Sequence, residues 1–258
     1  MNLSNVSLLI SVPSYDSRLA VGCALSIMRL RDRLKELGVS HELQFVLNRS
    51  LVTKARNEIA NYFLFDTKHT HLFQIDNDLS FDENDFIRAL ASDVDFVGLA
   101  YAFKTINWGD VANAARSGVA TADLAKAATT PVTTLLSPDT KLDTKLQEVK
   151  HVGSGLLLTK RTVFEKLANA HPEWKYRLRE AKDPIYSERK GQRDFAYAFF
   201  GEGFDADRHI LSEDFKLCED WRALGGKVYL APWAKTTHHG TCDFRYDSNL
   251  PAIPAVQN

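Results

Sequence analysis

Between residues 6 and 101 the chain alternates short apolar runs with longer stretches of helical periodicity, and that alternation leaves few folds open. The runs at 6–12 (VSLLISV), 43–47, 71–75 (HLFQI) and 94–101 (VDFVGLAY) are short, rich in β-branched and aromatic residues, and bounded by turn formers. Such runs predict strands, with those at 6–12 and 71–75 buried. Between them, residues 19–37, 52–65 and 82–91 read as helices. Leu25, Met28, Leu34 and Leu37 mark the apolar face of the first, which Gly38 stops, and Ile59, Tyr62 and Phe63 mark the second. A βαβαβαβ series calls for an α/β fold with a mostly parallel central sheet and flanking helices. In such sheets ligands collect outside the carboxyl ends of the strands.

Beyond this series the pattern loosens. Residues 107–147, rich in Ala, Thr, Ser and Lys, read as an insertion of short helix and loop. A strand is expected at 151–158 (HVGSGLLL) and a helix at 161–170, followed by an aperiodic stretch at 172–207 that reads as an active-site loop region. Order returns with a helix at 213–224, a stop at Gly225-Gly226 and a strand at 227–230 before Pro232. Residues 251–258 read as a flexible tail. With no internal repeat and no linker, a single domain spanning 1–258 is the expected organisation.

The 32 basic and 33 acidic residues leave a formal charge of −1, so the overall field gives no reason for general binding to nucleic acid or to an anionic membrane. Cys23, Cys218 and Cys242 are widely spaced, which supports neither a disulfide framework nor a zinc ribbon. No basic leader and no apolar run of membrane-spanning length is present, and the expectation is a cytoplasmic protein of a bacterial, phage or viral setting.

The chemistry-bearing residues fall at element ends. Asp76 and Asp78 directly follow the apolar run 71–75. An Asp-x-Asp in isolation most often marks a solvated turn, but the lip of such a sheet is where a hard cation such as Mn2+ or Mg2+ and its phosphate would sit. Arg56 and Asn57 open the preceding helix, where a guanidinium and a helix end suit a phosphate, the alternative being an exposed surface pair. Glu213 and Asp214 begin a later helix. The helix dipole alone favours acids there, and the functional alternative is a general base with a second carboxylate orienting it. His238 and His239 follow the last strand, and either imidazole is a competent third ligand; a zinc site with Cys242 lacks supporting spacing. Gly153-Ser154-Gly155 completes neither a nucleophile elbow nor a Walker loop, and its glycines suit close approach of an acceptor. Trp108, Phe195, Tyr197, Phe199, Phe200 and Trp233 are candidates for a sugar-stacking face, although aromatic residues more often fill cores.

Taken in order, Pro13 and Tyr15, Ala55-Arg56-Asn57, Asp76-Asn77-Asp78, Val97-Gly98 through Lys104, Gly153-Ser154-Gly155, Ser212-Glu213-Asp214 and His238-x-Gly240 resemble the GT-A glycosyltransferases, over about residues 6 to 242. The resemblance implies the Rossmann-like nucleotide-diphospho-sugar transferase fold. It implies a 13–16 loop, with Pro13 and Tyr15, along the nucleotide base, Arg56 and Asn57 toward diphosphate or ribose, and Lys104 also on the donor side. Asp76 and Asp78 would hold ribose and metal, with His238 as third protein ligand and His239 as fallback. Gly153, Ser154 and Gly155 would lie toward the acceptor, and Asp214 would be the base of an inverting transfer with Glu213 beside it, although the resemblance includes retaining enzymes.

The implied activity is Mn2+- or Mg2+-dependent transfer of a hexose or related sugar from a UDP- or GDP-linked donor to a hydroxyl of a glycan, protein or modified nucleic acid. A nucleotidyltransferase making nucleotide-sugars is a second class, but it usually carries a glycine-rich basic loop after strand one. Here PSYDSRLAVG offers Arg18 and Gly22 alone. A third class is a non-catalytic nucleotide- or carbohydrate-binding domain.

Overall fold

A computed structural model describes residue 3 and residues 5–178 and 193–241. Cys242, the 251–258 tail and residues 179–192 of the expected loop region lie outside the described residues. The first half runs β1 (Ser7–Ser14), α1 (Val21–Glu36), β2 (Ser40–Leu47), α2 (Val52–Asn61), β3 (His71–Ile75), β4 (Leu79–Phe81), α3 (Glu83–Leu90) and β5 (Phe96–Leu99). The 107–147 segment contributes α4 (Trp108–Arg116), α5 (Leu124–Ala127), β6 (Thr133–Thr134) and the start of β7 (Gln147–Val149). Then come β8 (His151–Val152), β9 (Leu156–Lys160), α6 (Arg161–Ala170), β10 (Lys175–Arg177), β11 (Phe195–Tyr197), β12 (Gly203–Phe204), β13 (Ile210–Leu211), α7 (Glu213–Ala223), β14 (Val228–Ala231) and β15 (Thr236–His238).

The central sheet has seven strands in the order β2-β1-β3-β9-β5-β14-β7. β1 is parallel to β2 and β3, and β14 is parallel to β5. β9 lies antiparallel between β3 and β5, with Phe73 opposite Leu158, and β7 is antiparallel to β14. The expected α/β class with a mostly parallel sheet is therefore observed, with two strands reversed. A run buried on both faces looks the same whichever way it enters a sheet, so the reversal of β9 has no signature in its composition.

Side chains alternate between the two sheet faces at strand period. Leu8, Ile10, Phe73 and Ile75 pack with Phe86 and the buried face of α1. Leu9, Leu72 and Leu157 pack with Phe63 from the turn after α2, Phe164 from α6 and Trp221 from α7. Burying a side chain of this size contributes about 1.5–3 kcal/mol each, so the two-sided core is the main stabilising term.

Three local departures bear on the site. The helix expected to reach residue 65 is α only to Asn61 and closes in a π turn, Tyr62–Asp66. There Arg161 donates to the carbonyls of Phe63 and Leu64, satisfying helix-end acceptors, and to that of His69 in the loop beyond. The strand expected at 151–158 breaks in two at Gly153-Ser154-Gly155: β8 pairs with β6, whereas β9 joins the main sheet. β4 and β15 form an antiparallel ribbon with Leu79 opposite His238, a pairing too short to leave a periodic signal. Of the aromatic candidates, Phe199 and Phe200 are core residues and Phe195 and Tyr197 pack on Phe65. Trp233 lies under Arg88, and Trp108 is exposed. No helix among the described residues is long and apolar enough to cross a membrane.

Candidate functional site

The acidic pair occupies a tight turn at the carboxyl end of β3. Asp76 N–H donates to Gly155 O at 2.8 Å, extending the β3–β9 ladder by one rung, and Leu79 N–H returns to Asp76 O at 3.1 Å. Asn77 fixes the turn laterally, its amide donating to Arg18 O at 2.9 Å while its own carbonyl accepts from Ala20 N–H at 2.8 Å. Beneath it Cys23 reports the local field: burial, then the charges of Asp78 and Asp76, push its thiol up to about 12.

Arg56 organises the site from behind. Reaching forward from α2, it donates through Nη2 to Asp76 Oδ1 at 2.9 Å, through Nη1 to Ser154 O at 3.2 Å and through Nε to Glu213 Oε1 at 3.3 Å. It is 4% exposed, and although burial opposes its charge, Asp76 and Glu213 more than restore it, leaving its pKa raised. Three faces of its fork are thus committed to protein groups, and Arg56 is not among the residues lining the cleft described below. Asn57 is engaged by the protein as well. Its amide donates to Phe200 O at 2.7 Å and accepts from Phe200 N–H at 2.9 Å, so both ends are spent on holding that segment.

Glu213 and Asp214, opening α7, are brought to the same centre. Burial pushes the Glu213 carboxyl up, Arg56 opposes this and Asp214 adds to it, with a net rise. Asp214 Oδ2 accepts from Ser154 N–H at 3.3 Å, and Oδ1 accepts from the Ser212 hydroxyl and from Phe215 N–H at 2.8 Å. The glycine turn is packed where a side chain has no room. A Cβ on Gly153 would lie 2.0 Å from the Tyr101 hydroxyl, and one on Gly155 2.6 Å from Leu79 Cδ1 and 2.9 Å from Asp76 Oδ2. Gly155 N–H in turn donates to the Tyr101 hydroxyl at 3.1 Å. The glycines thus serve tight internal packing against Tyr101 and Asp76.

On the outer side, Asp78 meets Lys104 and His238. The Lys104 ammonium pairs with Asp78 Oδ2, and His238 Nε2 lies 3.4 Å from Asp78 Oδ1. His238 Nδ1 is bonded to Ala102 O at 2.8 Å. A carbonyl only accepts, so Nδ1 carries the proton there, and Nε2 is the ring nitrogen that faces Asp78. Backbone anchoring of one ring nitrogen is how ligating histidines are oriented. Asp78 and His238 thus face each other at the rim while Asp76 turns Oδ1 to Arg56, and among the described residues these three do not form a group with ligand atoms within 4.8 Å of one another. Their residue types are ones a divalent cation would take, Mn2+ accommodating the mixed oxygen and nitrogen set better than Mg2+. His239, the fallback, faces the other way, since successive extended residues point to opposite faces. Its Nε2 bonds Ser80 Oγ at 3.1 Å, over Gly22, where a Cβ would lie 2.4 Å from it.

A cleft of 370 Å3 opens over this rim. It is lined by Pro13, Ser14 and Tyr15 at the end of β1, by Val46, Arg49, Ser50, Val52 and Ala55, and by Asp76, Asn77, Asp78 and His238. Arg49 and Ser50 were not singled out from the sequence. Arg49 holds Glu58 through Nε at 2.8 and 2.9 Å, and Asn48 before it adopts a left-handed φ of 60°. The signal was a polar Asn-Arg-Ser turn between an apolar strand and a helix. Also unforeseen is Asp205, Asp207 and His209, on the loop joining β12 and β13, whose ligand atoms lie within 4.8 Å of one another. Asp205 Oδ1 there accepts the N–H groups of Asp207 and His209, so the cluster folds its own turn.

No family model matches the chain, and no curated protein matches it. Among solved structures it is similar to A197 from STIV at 16% identity, covering 92% of this chain and 87% of that one with a TM-score of 0.49. It is similar to a 4-diphosphocytidyl-2C-methyl-D-erythritol synthase from Anaerococcus prevotii at 7% identity, covering 85% and 99% with a TM-score of 0.32. HddC from Yersinia pseudotuberculosis, complexed with GMP-PN, is similar at 11% identity, covering 84% and 97% with a TM-score of 0.31. Likenesses this distant carry no function across, and the chemistry rests on the residues at the sheet rim.

Proposed function

We propose that this chain is a GT-A glycosyltransferase, a hexosyltransferase that moves a sugar from a UDP- or GDP-linked donor to a hydroxyl acceptor. The observation that carries the proposal is the convergence at one sheet rim of groups far apart in sequence. Asp76, Asp78 and His238 line one cleft, and Arg56 joins Asp76 to Glu213, beside Asp214. The exposed Tyr15 and neighbouring Pro13 offer a flat wall for a nucleoside base, and Arg49 and Ser50 line the same cleft.

Asp76, Asp78 and His238 would hold Mn2+ or Mg2+, which when bound supplies charge neutralisation for a diphosphate leaving group. Asp214 is the base: the acceptor hydroxyl gives up its proton to this carboxylate, its oxygen bonds to the anomeric carbon, and the bond from that carbon to the donor phosphate oxygen breaks. Arg56 fixes the positions of Asp76 and Glu213, and the Ser212 hydroxyl with the N–H groups of Ser154 and Phe215 holds Asp214. The nucleotidyltransferase alternative is disfavoured by the connection between β1 and α1. Its one basic residue, Arg18, is solvent-exposed and lies 3.7 Å from Asp16, so no phosphate cradle is built there.

Thermal unfolding with UDP or GDP, with and without Mn2+, tests the proposal. A specific ligand at a hundred times its Kd stabilises the folded state by about 2.7 kcal/mol. Asp78→Ala is expected to keep the ligand-free midpoint within a few degrees and to abolish the Mn2+-dependent increment. Equal increments in the variant and the parent protein would remove the cation from the aspartate turn.

A further inference from the structure

Lys104 was expected to face the donor, yet its ammonium sits on the carboxylate oxygen of Asp78 that His238 does not face. The placement is built. Ala102 O accepts from His238 Nδ1, and Phe103 N–H donates to Thr130 O at 2.9 Å, so the backbone on the amino side of Lys104 is pinned at two points. The lysine stem then lies along Gly240, where a Cβ would come within 3.2 Å of Lys104 Cδ. At the tip, an ammonium is a compact point charge with no preferred plane of approach, so it satisfies a carboxylate in the same seat that a hard cation would take. Two cations on one carboxylate repel each other, and the site is partly screened from water, with Asp78 31% and Lys104 42% exposed.

Resting on the assignment of Asp78 as a cation ligand, we propose that Lys104 is a resident counter-ion that competes with the divalent cation for Asp78. Its presence keeps the affinity of the nucleotide-free protein for metal low. A nucleoside diphosphate changes the balance, because its phosphates bring negative charge that both the cation and a displaced ammonium can meet. The half-exposed four-carbon stem lets Nζ swing away from Asp78 without moving the pinned backbone. Lys104 thereby couples metal entry to nucleotide entry.

The test is Mn2+ binding to the nucleotide-free protein, read as loss of the free-ion electron paramagnetic resonance signal. Lys104→Met removes the charge while adding no hard ligand, and is expected to bind Mn2+ about tenfold more tightly than the parent protein. Lys104→Arg, which keeps the charge, is expected to stay near the parent affinity. Asp78→Asn in the Lys104→Met background is expected to erase the gain. If Lys104→Met binds Mn2+ no better than the parent while Asp78→Asn weakens both, the cation site stands and the competition does not. If Asp78→Asn changes binding in neither background, the cation assignment fails and the competition fails with it.

Discussion

Asp214 is held by donors on both oxygens, from the Ser212 hydroxyl and the N–H groups of Phe215 and Ser154. Such a carboxylate is oriented by its surroundings, a useful property in a base that must meet one hydroxyl. Asp214→Asn keeps shape and volume but removes the proton-accepting charge and turns an NH2 toward at least one donor. The expected outcome is a fall in kcat by about 10²–10⁴ with nucleotide affinity unchanged, measured by single-turnover kinetics beside calorimetry. Turnover at the parent rate would exclude the base role. At this scale the sequence yielded residue types but not partners. Glu213 as a helix-start acid is readable from the helix dipole; its ion pair with Arg56, 157 positions away, is not. Likewise His238 and His239 are equivalent as letters and separate only when the pleat sends one toward Asp78 and the other toward Ser80.

Element spans were more legible, because periodicity is local, although the apolar face marked on α1 coincides with the buried one only at Leu34: Leu25 and Met28 are exposed, and Cys23, Ile27, Leu30 and Leu34 are buried. His71–Ile75 and Arg161–Ala170 coincide with their expected spans, and α7 ends one residue short of its own, Gly225 following with a positive φ of 80°. What stayed hidden was pairing: the reversed β9, and the ribbon that delivers His238. β3 also carries a titratable group at the end away from the site. His71 is buried, bonded through Nδ1 to Thr70 Oγ1 at 2.8 Å, and burial with the Lys160 charge, against Asp93 and Asp95, lowers its pKa to about 4. In the unfolded chain it titrates at about 6.5. Its folded value is the lower one, so the unfolded state takes up the proton first. Stability linked to His71 is complete above pH 6.5, declines as pH falls toward 4, and amounts to about 3 kcal/mol at most. His151 is shifted downward too, chiefly by burial, so the total decline has more than one source. Urea midpoints of the parent protein and His71→Gln isolate the part due to His71: the parent's advantage is expected to shrink between pH 7 and 4. Parallel curves would show that His71 protonates equally in both states.

Across the molecule, one guanidinium connects the halves of the chain. Arg56 on α2 touches the turn after β3, the glycine turn before β9 and the start of α7, which lie 20, 98 and 157 positions away. Those are the segments on which the proposed cation, acceptor and base groups stand, so rim geometry and stability share a single buried residue. Removing one member of a buried charge network costs about 3–5 kcal/mol, because the remaining charges lose their compensation. Arg56→Met is expected to fall in that range by urea unfolding at pH 7. Arg56→Lys recovers only part of it, since an ammonium lacks the planar fork that meets three acceptors at once. The loss also has a pH signature. Burial already raises the Glu213 pKa against the pull of Arg56, and without the guanidinium it rises further. Protonation then neutralises the stranded carboxyl, so the cost of Arg56→Met shrinks as pH falls, and Glu213→Gln in the same background recovers part of the stability at pH 7. A double-mutant cycle between the two positions measures that coupling. Additive losses would mean that Arg56 and Glu213 do not act as a unit, and the link between the aspartate turn and the base would have to run through another residue.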